Sequence, residues 1–126
     1  MNALETIERL KLFLNKQINS LAMTNPLIGF AKPIILRVVN NNMHKANGFL
    51  SMLADENGNI DMQSLIPEMI QSVMTTKPFV YHTEFLGDLE IGGGFIKMNI
   101  PMTNNQIVLG KADLDVLKEL FTENRV

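Results

Sequence analysis

Hydrophobic residues in this chain change their spacing at Thr75 and Thr76. Before that point they recur every three or four positions, and after it every second position. The first spacing builds one face of an α-helix and the second builds one face of a β-strand. Helices come first and strands follow, so the pattern predicts an α+β fold: three N-terminal helices, an antiparallel meander of three to four strands, and a C-terminal helix.

The first helix is expected from Leu4 to Leu21, where Leu4, Ile7, Leu10, Leu14, Ile18 and Leu21 form the apolar stripe. Glu5 and Arg9 lie four apart and can form a supporting ion pair. Asn25 and Pro26 then read as an N-cap and a first helical residue. Pro33 clashes with a helix interior, so the central helix is expected either to start near Lys32 or to kink there. Its stripe runs through Ile34, Ile35, Val38, Met43, Ala46, Phe49, Leu50 and Leu53 as one helix. Asp61 caps a third helix that runs to about Met74, with Pro67 early in it.

From Phe79 to Leu86 the residues alternate, which predicts a strand. Leu89 to Ile91, Phe95 to Ile100 and Gln106 to Leu109 are three further strand segments, punctuated by glycines and Pro101. The last helix is expected from about Ala112 to Phe121, with Asp113 and Asp115 placed favourably in its first turn. The 126 residues fit one domain, divided into a helical part at 1–76, the meander at 77–109 and a helix at 111–122.

Composition narrows the function. The chain is 46% apolar and 19% charged, a balance that favours an ordered core. It has no cysteine, which excludes disulfides and thiolate metal sites and fits a reducing cytoplasm, the expected location. Met1 to Lys16 lacks the apolar run of a secretory signal. Pro26 to Val39 is the most apolar stretch, but it contains Lys32 and Arg37 and is shorter than the roughly 20 residues a spanning helix needs. With a net charge of −2 and scattered cations, the chain offers no basic stripe for nucleic acid.

Four groups of residues are candidates for function. The string from Asp55 to Asp61 resembles the middle of an EF-hand calcium loop, with Asp55, Asn57 and Asp61 at ligand positions and Gly58 at the turn. The first and last ligand positions fall on Leu53 and Ser64, so the string reads better as a turn ending in a helix cap. Gly92, Gly93 and Gly94 lead into a strand rather than a helix, so they suit a hairpin turn better than a phosphate cradle. Their bare backbone still allows a ligand to approach. His82 and Glu84 share a strand face and could form a polar pair, and with the glycines they make a candidate ligand site. No motif places a nucleophile beside them, so no enzyme activity and no cofactor are expected.

The nine methionines fill a core by default, but methionine also serves re-packing interfaces, and broad apolar helix faces that a short sheet leaves uncovered add weight to contact with another protein. Phe30, Ile35, Val39 and Met43 on the central helix form the expected interface. The function expected from the sequence is therefore a non-enzymatic interaction or assembly module that pairs with itself, of the kind found as an accessory subunit in bacterial or phage assemblies. A small-molecule or ion-binding domain is the alternative.

Overall fold

A computed structural model describes residues 1–83 and 86–122. Helix α1 spans Ala3–Thr24 and α2 spans Pro26–Met43. A 3₁₀ turn at His44–Ala46 leads into a short α3, Asn47–Met52. Helix α4 is Met62–Thr75. Strands β1 (Phe79–Thr83), β2 (Gly87–Gly92), β3 (Phe95–Asn99) and β4 (Gln106–Leu109) follow, and α5 (Lys111–Thr122) comes last. The strands form one antiparallel sheet in the order β1-β2-β3-β4, which is the α+β architecture read from the spacing.

Local chemistry accounts for most boundaries. Asn2 caps α1 by accepting from the Glu5 amide at 2.8 Å. Asn25 accepts from the Leu27 and Ile28 amides, with Pro26 at the first helical position, so the break between α1 and α2 is a cap and restart. Asp61 caps α4 through the Ser64 amide and hydroxyl. At α5 the Asp113 carboxylate reaches back to the Gly110 amide at 3.1 Å.

Three expectations are corrected. Of the two readings for Pro33, the helix start near Lys32 is set aside, because α2 runs through it. An interior proline costs about 3 kcal/mol. Here it is offset by Ile28 and Ile35, buried on either side of it. The central helix does not continue to Leu53. After the run Asn40-Asn41-Asn42, weak in helix propensity, the chain tightens to a 3₁₀ turn. That turn keeps Ala46 and Leu50 in the core while Phe49 and Leu53 face out. Finally, Arg9 does not turn to Glu5. Its guanidinium donates to the Leu120 carbonyl in the last turn of α5, where a cation suits the helix dipole.

Helices α1 and α2 pack closely against each other as a helical hairpin, and their inner faces share one hydrophobic core with the sheet. The core includes Ile7, Phe13, Leu14 and Ile18 of α1, Ile28, Ile35, Val39 and Met43 of α2, and Ile66, Ile70 and Val73 of α4. The sheet contributes Ile96, Met98, Ile107 and Leu109, and α5 closes the side with Leu114, Leu117 and Phe121.

This packing decides three of the four expected interface residues. Ile35, Val39 and Met43 are 0%, 7% and 1% exposed, so their apolar edge is buried in the chain's own core, where α2 packs chiefly against α1. Phe30 is 91% exposed and remains on the surface. Truncating Ile35 to Ala should therefore cost about 2–5 kcal/mol in urea denaturation, while Phe30→Ser should change stability by no more than about 0.5 kcal/mol. Equal effects from the two changes would contradict this packing.

Candidate functional site

In the sheet, Phe79, Tyr81 and Thr83 of β1 stand opposite Ile91, Leu89 and Gly87 of β2. Leu89 and Ile91 in turn face Met98 and Ile96 of β3, which face Ile107 and Leu109 of β4. Strand alternation puts all of these side chains on one face, the face toward the helices. The face is not evenly covered. Helix α4 lies against β2 and β3, and α5 against β4. Ile96, Met98, Ile107 and Leu109 are buried, Leu89 and Ile91 half-buried, and Phe79 and Tyr81 exposed. Strand β1 thus overhangs the helical layer.

Beneath the overhang lies an open groove of about 850 Å³. Phe49 and Met69 line its helical wall, and Phe79, Tyr81, Leu89 and Ile91 its sheet wall. Ser72, Thr76 and Thr83 supply polar groups around it, and His82, whose side chain belongs to the other sheet face, only borders it. A smaller crevice of about 250 Å³ lies between the α1–α2 hairpin and the other end of the sheet, lined by Leu14, Val39, Asn42, Asp88, Met98 and Ile107 among others.

The residues singled out from sequence are dispersed by the fold. The His82 Nδ1 meets the Asp88 carboxylate at 2.6 Å across the β1–β2 pair, and both side chains are largely exposed. Alternation puts them on the outer face with Val80, opposite to Phe79 and Tyr81. Solvent screening makes such a pair a weak contact. Glu84, its expected partner, lies outside the described residues.

Gly92, Gly93 and Gly94 stand at the other end of β2, beyond the Phe79–Ile91 pair, so about four strand residues, roughly 13 Å, separate them from His82. Gly93 and Gly94 form the two-residue turn between β2 and β3, with φ of +62° and +91°. Their amides donate to the Thr76 and Val73 carbonyls at the end of α4, at 2.8 and 3.0 Å. The expected ligand site is therefore not a single place, and the donors a phosphate would need already bind a helix end.

The Asp55–Asp61 loop is likewise engaged with its own backbone. The Asp55 carboxylate accepts from the Asn57 and Asn59 amides at 2.8 and 3.0 Å, Gly58 takes a positive φ of 80°, and Asp61 caps α4. Among the described residues, no three His, Asp or Glu side chains converge in a way that could hold a metal ion. None of the described helices is long and apolar enough to cross a membrane.

Sequence reasoning placed Phe79 and Tyr81 on one strand face but did not single out the groove. The available signal was two aromatic residues spaced by two at the start of the meander, the position of an edge strand. What the spacing does not carry is which strands the helices cover. No protein-family model, curated protein or solved structure matches the chain.

The glycine turn yields a direct prediction. A Cβ on Gly92, where φ is +123°, would stand 2.8 Å from backbone atoms of Thr76 and Lys77, whereas a Cβ on Gly94 would meet nothing within 4 Å. Gly92→Ala should cost at least about 2 kcal/mol of unfolding free energy and Gly94→Ala only about 1 kcal/mol. Chemical denaturation measures both, and a Gly92→Ala protein as stable as wild type would refute the close approach.

Proposed function

We propose that this chain is a non-enzymatic protein-interaction module whose groove between α4 and β1 receives apolar side chains of a protein partner. The observation that carries the reading is the uneven cover of one sheet face: it is buried over β3 and β4 and open over β1. An exposed contiguous apolar patch on a folded protein is a contact surface more often than a neutral feature. Here it also adjoins a free strand edge. An extended segment laid along β1 would gain main-chain hydrogen bonds and place alternate side chains in the groove. The sequence of β1, Phe79-Val80-Tyr81-His82-Thr83, contains no proline, lysine or inward charge of the kind that blunts an edge.

The reading is tested by selecting from a displayed random-peptide library on dilute, immobilised protein. Enriched peptides should alternate large apolar and polar residues, and they should lose about 1–3 kcal/mol of binding when Met69 is changed to Glu, because a buried charge then faces the apolar side chain. Absence of enrichment, or binding indifferent to Met69→Glu, argues against the groove as a protein receptor.

The groove volume supports a second reading, a small apolar ligand, since ligand sites span about 300–1,000 Å³ and combine an apolar lining with a few polar groups. A thermal-shift screen with fatty acids and aromatic acids separates the two. A ligand at about 100 times its dissociation constant adds about 2.7 kcal/mol of stability.

A further inference from the structure

We infer that the occupant of the β1 edge is a second copy of this chain, joined by antiparallel β1–β1 pairing about a two-fold axis at Tyr81. The inference rests on the groove reading and names its partner. Three observations carry it: the free edge, the register it permits, and the area it would cover.

Strand β1 is a terminal strand of the sheet, so among the described residues one row of its backbone groups has no partner strand. Two-fold pairing of identical strands requires residues on the same face to stand opposite one another, so the axis must pass through a residue. Placed at Tyr81, it pairs all five residues of β1: Tyr81 with Tyr81, Phe79 with Thr83, and Val80 with His82. The two His82 side chains are then not opposed, and no like charges meet within the strand. An axis at Val80 or His82 leaves part of β1 unpaired, and at His82 it sets two imidazoles face to face.

Pairing at Tyr81 also keeps both helical layers on the same side of a continuous eight-stranded sheet, with the two grooves joined beneath the seam. Phe79, Val80 and Tyr81 are 46%, 54% and 48% exposed, and Met69 is 36% exposed. An aromatic side chain can bury about 150–250 Å², so these residues with parts of Leu89 and Ile91 offer roughly 400–500 Å² per copy. The pair covers roughly 800–1,000 Å² before backbone is counted, near the lower end of specific interfaces at about 1,200 Å². A reversible, concentration-dependent dimer follows.

A second group of exposed apolar residues, Met23, Leu27, Phe30 and Ile34 on the α1–α2 hairpin, lies on helices and not on a strand edge. It provides the control for the experiment.

Light scattering on the full chain from micromolar to millimolar concentration should show a rise from 14.2 kDa toward twice that mass. Tyr81→Lys and Val80→Lys should hold the protein at one copy with unchanged far-UV circular dichroism, and Phe30→Lys should leave the dimer intact. The absence of cysteine allows a direct check of register. Opposed residues of an antiparallel pair have Cα atoms about 4.5–5.5 Å apart, within disulfide range. Tyr81→Cys should therefore oxidise to a covalent dimer about tenfold or more faster than Met23→Cys, because pairing raises the effective thiol concentration.

A wild type that stays at one copy throughout overturns the inference, and the peptide selection then decides the groove reading by itself. A dimer that survives both lysine changes, or that falls apart with Phe30→Lys, overturns it in favour of the α1–α2 hairpin. Equal oxidation rates for the two cysteine variants overturn the register.

Discussion

The end of α4 is held to the sheet by the turn between β2 and β3. The Gly93 and Gly94 amides satisfy carbonyls that a helix C-terminus otherwise leaves open, and Gly92 lets the two backbones come within contact distance. Because no side chain fits between them, the position of α4 over the sheet is set by backbone rather than by adjustable packing. Helix α4 is centred on β2 and β3 as a result, and β1 is left beyond its reach. The groove is thus a geometric remainder of the glycine contact, and its width follows from where α4 is anchored.

Much of the fold was legible in the residues. The change of period at Thr75–Thr76, the caps at Asn25 and Asp61 and the glycine turn each act locally, over two to five residues, and each was placed correctly. The misreadings arose where tertiary packing overrides local preference. The reading that starts a helix near Lys32 fails because α2 runs through Pro33, between the buried Ile28 and Ile35. Arg9 bonds to α5, 111 residues away, and so its partner could not be found by looking four residues along its own helix.

The candidate site was legible only in part. His82 was seen as a polar strand residue, and it meets Asp88 across the β1–β2 pair, a neighbour set by strand register rather than by spacing along β1. The apolar edge of α2 was recognised correctly as too apolar for solvent. It was assigned to another chain because the amount of sheet available to cover it cannot be counted from hydropathy. Ile35, Val39 and Met43 are buried within the chain, in a core shared chiefly with α1, and the shortfall in cover appears instead at β1.

The contact between Arg9 and Leu120 bears on how the chain assembles as it is made. The α1–α2 hairpin and the strand meander are each built from neighbours in sequence and can form as soon as they emerge. The bond from α1 to the last turn of α5 has to wait until synthesis has reached the final helix. Helix α5 packs chiefly against α4, so that face of α4 stays open until α5 has been made. The bond between α1 and α5 therefore forms after the hairpin and the meander.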